Sequence, residues 1–231
     1  MQLVSTGSLS KTIDRVNQAY FYGVVPAKEE RRQAMRMILS RAGAPGSYGG
    51  KTFGLTTSDE RDRTHTFTGE GLPSPASNKH IHAEEACRCL IILNRTEGRR
   101  LAELDAATES LLGMLQGAEA SGKPRGTYCC GPCTVSLWRH MAVGGFGDYA
   151  KNLNSGLAVL GAYKDGKGTW KRFPFFYTLS LLAEVSDLPN ARRAITYALP
   201  ECEKRVEKLR PSSEYSRRRR DLLMRVLESR S

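Results

Sequence analysis

The sequence lacks both a long hydrophobic run and a recognisable leader. Its longest apolar stretch, Leu90 to Leu93, is far shorter than the ~18 residues that a membrane-spanning helix requires. The segment from Met1 to Tyr20 has no basic part followed by an apolar part, which is the pattern of a secretory signal. We therefore expect a cytoplasmic protein without a membrane span, whose six cysteines are reduced or bound to metal rather than paired in disulfides.

Acidic residues are also few: 24 Asp and Glu stand against 35 Lys and Arg, which gives a formal net charge of +11. The basic excess is densest at Arg217 to Arg220, and such a run attracts phosphate groups or anionic lipids. It precedes an apolar-periodic segment, however, and only Tyr215 lies nearby to stack on a base. Nucleic acid is therefore not the partner that this sequence favours.

An internal repeat organises most of the chain. The stretch Gly126 to Leu137 aligns without a gap on Gly168 to Leu179, at an offset of 42 residues. A third copy begins near Gly46 and carries an insertion at about 51–80. A period of this length is typical of stacked helical units. The matching pairs are Gly126 and Gly168, Thr127 and Thr169, Tyr128 and Trp170, Pro132 and Pro174, Ser136 and Thr178, and Leu137 and Leu179.

Each unit is predicted to be a helix, a glycine-rich turn with an aromatic residue, and a second helix. Pro132 and Pro174 suit the first turn of a helix, where the missing N–H would have no partner anyway. A further helix over 190–209 and a tail helix in 211–231 would cap the stack. The first helices are predicted at 28–41, 101–120 and 153–163, and the second helices at 83–94, 132–143 and 174–185.

The turn Lys167 to Trp170 resembles the turn between paired helices in terpenoid cyclases and protein prenyltransferases, and so does Arg41 to Gly50. The segment Cys133 to Trp138 resembles the inner prenyltransferase helix that carries a zinc-ligating cysteine. The resemblance implies an all-α fold, an open arc of stacked α/α hairpins. We expect one domain over 1–210, with the second helices on its concave side, and a basic tail over 211–231.

The same resemblance suggests a ligand groove, because ring-rich concave walls hold isoprenoids in those families. A truncated isoprenoid-binding or prenyltransferase-like protein is one candidate function, although aromatic residues at helical spacing also build cores. The groove residues would be Tyr128, Trp138, Trp170, Phe173 and Tyr177.

Cysteines cluster at the predicted start of a helix, in Cys129-Cys130-Gly131-Pro132-Cys133. A helix N-terminus favours thiolate, which suits either redox exchange or a metal. Cys130 and Cys133, with His80 or His82, could bind zinc, since tetrahedral zinc takes sulfur and nitrogen ligands. The cysteines could equally be small packing residues at a crowded junction.

Two further resemblances give this cluster other chemistry. Residues 130–133 are identical to the thioredoxin active-site tetrapeptide, although no hydrophobic strand precedes them. His82 and Glu84, followed by Cys130 and Cys133, resemble the zinc deaminase signature, in which one His and two Cys bind zinc and the Glu shuttles protons. A deaminase-type hydrolase is therefore the alternative to a helical binding or scaffold protein, whose partner would be another protein or a hydrophobic small molecule.

Overall fold

The computed structural model describes residues 2–62, 65–147 and 153–229. Within these ranges it is helical and contains no strand, only three isolated antiparallel bridges, so the predicted all-α class is confirmed. Short 3₁₀ turns cover Tyr48–Gly50 and Val159–Tyr163. The α-helices are α1 (Leu9–Phe21), α2 (Lys28–Leu39), α3 (Thr57–Asp62), α4 (Pro75–Asn94), α5 (Ala102–Ala120), α6 (Gly131–Ala142), α7 (Leu153–Ala158), α8 (Phe175–Glu184), α9 (Pro189–Lys208) and α10 (Glu214–Glu228).

Three helices, α4, α6 and α8, form an inner row in which α6 lies against both of the others. Every residue of α6 from Gly131 to Met141 is buried, as is every residue of α8 from Phe175 to Leu182. Helices that are buried on all sides must be surrounded by other elements of the fold. Helices α2 and α5 pack on α4, α7 packs on α6, and α9 packs on α8.

Helix α4 begins earlier than the sequence predicts, at Pro75 rather than Ala83. The Ser74 side chain accepts a hydrogen bond from the Ser77 backbone N–H, and Pro75 occupies the first turn, where its missing N–H costs nothing. The end of the predicted insertion at 51–80 therefore belongs to α4. As a consequence Glu84 lies well inside the helix rather than in its first turn.

The tail helix α10 packs on α8 and α9 through Leu222, Leu223 and Val226. The four arginines at 217–220 in α10 differ in burial. Arg218 is buried and makes paired hydrogen bonds of 2.8 and 2.7 Å to the two Asp14 carboxylate oxygens, whereas Arg217 and Arg220 are exposed. No helix in the described ranges combines the length and the apolar character needed to cross a membrane.

Candidate functional site

The cysteine cluster lies where α6 begins. Cys130 is the N-cap, with an extended backbone, and Pro132 lies in the first turn. Gly131 fits because a Cβ there would overlap the backbone carbonyl of Arg172, a residue that itself has a positive φ of 70°. The N-terminus of α6 is therefore held against the loop that precedes α8.

His80, Cys129 and Cys133 form a group that could hold a metal ion. One ligand atom from each, the two Sγ atoms and an imidazole nitrogen, lie within 4.8 Å of one another. His80 comes from α4, Cys129 immediately precedes the N-cap residue of α6, and Cys133 lies in the first turn of α6. His80 and Cys133 are buried and Cys129 is exposed, so the group has an open side.

The His80 ring is fixed by aromatic neighbours. Tyr48 stacks on it with a centroid distance of 4.3 Å and an interplanar angle of 11°. Tyr128 meets it edge-on at 4.2 Å. Neither ring nitrogen makes a hydrogen bond of ordinary length to the described part of the chain. A buried imidazole whose nitrogens lack such partners is suited to act as a ligand.

Glu84 lies behind His80. Its Oε1 is 3.6 Å from His80 Nε2, and its Oε2 is 2.7 Å from His140 Nδ1 on α6. Burial opposes the charge of Glu84, but the hydrogen bond with His140 and the nearby His80 imidazole outweigh burial and keep the pKa of Glu84 below its usual value. A carboxylate behind a histidine orients the ring for metal binding.

His80 responds to the same neighbours. Burial lowers the pKa of this imidazole, but contacts with Cys129 and Glu84 outweigh burial and raise the pKa above its usual value. These two shifts favour a negatively charged Glu84 beside a positively charged His80 when no metal is bound.

Cys130 lies beside the group and faces outward. The Cys130 thiol is half-buried. Hydrogen bonding by the Cys133 thiol, and to a smaller extent by the Cys133 backbone N–H, lowers the pKa of Cys130 to about 5. That same contact and burial raise the pKa of Cys133. Cys130 lines a cleft of about 200 Å³, which Lys123 and Arg172 also border.

Two of the four predicted metal ligands, His80 and Cys133, belong to the group that the structure brings together. The Nδ1 atom of His82 is 2.8 Å from the Asn78 carbonyl on its own helix, and Cys130 contacts Cys133. Sequence reasoning missed Cys129. The available signal was that Cys129 belongs to the same cysteine cluster. It precedes the N-cap of α6, so helical spacing does not place it beside Cys133.

The predicted groove residues all lie in the hydrophobic core. Trp138 stacks on Phe173 with centroids 5.7 Å apart, and its indole N–H donates to the Gly126 carbonyl. Only Tyr128 and Phe173 of the five also border the cleft at Cys130.

A second polar cluster lies in the middle of the inner row, and sequence reasoning gave no sign of it. Arg139 of α6 donates to Glu85 of α4 and to Glu184 of α8, each at 2.9 Å. Arg88 Nη2 lies 2.9 Å from Glu184. Burial disfavours the Arg139 charge, but Glu184 and Glu85 outweigh burial and raise the pKa of Arg139. This cluster ties the three inner helices together.

Comparison of the chain with protein-family models, with curated proteins and with solved structures gives no significant match.

Proposed function

We propose that this protein is a helical binding or scaffold protein that holds one zinc ion at His80, Cys129 and Cys133. The convergence of one imidazole and two thiols supports this assignment, because soft sulfur with nitrogen is the donor set that zinc takes in proteins. Three protein ligands leave a fourth position for water or for a bound molecule, and the exposed side at Cys129 gives access to that position.

The scaffold in this proposal is an open arc of three hairpins, α2 with α4, α5 with α6, and α7 with α8. Gly46, Gly126 and Gly168 all have a positive φ, at 84°, 72° and 87°, in the loop that follows the first helix of each unit. Only glycine adopts this conformation without strain, so the three turns share a backbone requirement. Helix α6 contacts both α4 and α8, as the inner helices of stacked units would, and α5 and α7 each pack on the inner helix of the preceding unit.

The deaminase-type alternative would need His82 and Cys130 on the metal and Glu84 beside its bound water. His82 is oriented instead by the Asn78 carbonyl, and the described ranges contain no strand on which such an enzyme would rest. The isoprenoid alternative would need the aromatic set on an open wall, whereas these rings pack in the core. We therefore rank both below the scaffold.

Metal analysis of variants tests the proposal. The protein purified under reducing conditions is expected to carry about one zinc per chain, measured by plasma mass spectrometry. Cys129→Ser and His80→Gln are expected to lose most of it, and Glu84→Gln to bind with roughly 10- to 100-fold lower affinity.

His82→Gln is the matched control, because His82 lies on the same helix and is equally buried. It should keep the full metal content, with circular dichroism confirming that each variant remains helical. A metal-free wild-type protein would refute the zinc proposal. Loss of zinc from His82→Gln with retention in Cys129→Ser would instead favour the deaminase ligand set.

A further inference from the structure

The thiol that the metal group does not use lies in the cleft beside that group. Cys130 and Cys133 are the N-cap residue and the third residue of α6, a three-residue spacing that makes their side chains neighbours at the start of the helix. Their exposures differ sharply, because Cys133 is fully buried and Cys130 faces the cleft. A reagent that enters the cleft therefore meets Cys130 before Cys133. Cys129 is also exposed, but it belongs to the metal group and does not line the cleft.

The cleft favours an anionic reagent. Its walls carry two exposed cationic side chains, Lys123 and Arg172, and no carboxylate side chain among the described residues lines it. The Arg172 guanidinium is held near the thiols, because it donates to the Cys129 carbonyl at 3.2 Å and lies over the Tyr163 ring. A volume of about 200 Å³ admits one end of a small molecule but not a folded protein partner.

We propose that Cys130 and Cys133 are a reactive dithiol that exchanges with small anionic disulfides, with Cys130 as the nucleophile and Cys133 as the resolving thiol. In the first step Cys130 Sγ, as thiolate, attacks one sulfur of the small disulfide. A mixed disulfide forms, the small disulfide bond breaks, and one small thiolate leaves and takes up a proton.

In the second step Cys133 gives up its proton, through solvent, to the departing small thiolate and attacks Cys130 Sγ. The mixed disulfide breaks and the second small thiolate leaves. Two electrons have then passed from the protein dithiol to the small disulfide, which is released as two thiols.

Oxidation removes Cys133 from the metal group. His80 and Cys129 alone supply two ligands, which are too few for a protein zinc site. Exchange is therefore expected to release the metal. This last consequence rests on the proposed zinc function, whereas the exchange itself does not.

The test uses the reduced full-length protein, oxidised glutathione as the anionic disulfide and cystamine as a cationic one. Thiols are counted by alkylation and intact mass, and released zinc is read with a colorimetric chelator. The wild-type protein should lose two thiols and its zinc together, faster with oxidised glutathione than with cystamine. Cys130→Ser should keep its zinc and lose thiols more slowly, on the order of tenfold.

Cys129→Ser separates the two proposals, since it should bind no zinc and still form the disulfide. Cys133→Ser should stop at the mixed disulfide on Cys130. If wild-type zinc is bound and withstands oxidised glutathione, or if Cys130→Ser is oxidised as fast as wild type, the exchange proposal is wrong. A wild-type protein that forms the disulfide but never held zinc refutes the metal site alone.

Discussion

Replacing Arg139 by Met should destabilise the fold strongly, because Arg139 is the only cation of the inner row that lies within hydrogen-bond distance of both Glu85 and Glu184 in the described chain. Its guanidinium also donates to Ser180 at 2.9 Å and to Asn17 at 3.2 Å. Methionine would fill a similar volume and satisfy none of these acceptors.

The magnitude follows from what remains after the change. Arg88 still lies 2.9 Å from Glu184, but its Nε is 3.9 Å from Glu85, so Glu85 becomes the poorly compensated buried charge. Removing one partner of a buried ion pair costs about 3–5 kcal/mol. We therefore expect the free energy of unfolding to fall by about that amount in urea titrations followed by circular dichroism.

A double variant tests the cause. Glu85→Gln removes the excess charge, and the glutamine oxygen can still accept the Tyr177 hydroxyl that now donates to Glu85 at 2.5 Å. Adding Glu85→Gln to Arg139→Met should therefore recover more than about 1 kcal/mol relative to the sum of the single changes. A single Arg139→Met loss below about 1 kcal/mol, or strictly additive losses, would show that the cluster does not act as we reason.

Two other predictions concern backbone fit and acid sensitivity. Gly131→Ala should lower the free energy of unfolding by about 1–3 kcal/mol, because the added Cβ would overlap the Arg172 backbone carbonyl. Gly117→Ala, in open space on α5, should raise it by about 0.5–1 kcal/mol. Equal effects of the two changes in urea titration would contradict the close approach at Gly131. Asp165 accepts a hydrogen bond from the Thr169 hydroxyl and others from Lys167 N–H, Thr169 N–H and Tyr197, and these lower its pKa below the ordinary 3.8. A carboxyl group whose pKa is lower in the folded than in the unfolded protein stabilises the fold at pH values above the unfolded pKa. Asp165→Asn should therefore lower the melting temperature near neutral pH, and lower it less below pH 3.8. A melting-temperature difference between variant and wild type that grows on acidification would refute this role.

Helix positions were largely predictable because apolar periodicity and proline are local signals. Pro132 placed the start of α6 to within one residue of its observed start at Gly131. The start of α4 was not predictable in the same way, since Ser74 to Lys79 is polar in sequence and reads as a loop. In the fold Ser77 and Asn78 of this segment are buried, and Ser77 Oγ lies 3.9 Å from Cys130 Sγ, a contact with a distant part of the chain.

The candidate site was predicted in part for the same reason. Spacing within 129–133 could indicate thiols at a helix start, but which thiol meets His80 depends on how α4 crosses α6. The cluster at Arg139 gave no signal at all, because arginine and glutamate on a helix usually face solvent. Likewise the run at Arg217 to Arg220 is uniformly basic in sequence, and only the packing of α10 distinguishes buried Arg218 from exposed Arg217 and Arg220.

The pairing of Arg218 with Asp14 joins residues 204 positions apart, so α1 obtains this partner only after all the helices between them have been synthesised. During synthesis Asp14 must therefore remain without Arg218 until α10 has left the ribosome. Emergence of α10, rather than of the inner row, is then the event that joins α1 to α10. Before that event α1 is held by its packing on α2, α3 and α4.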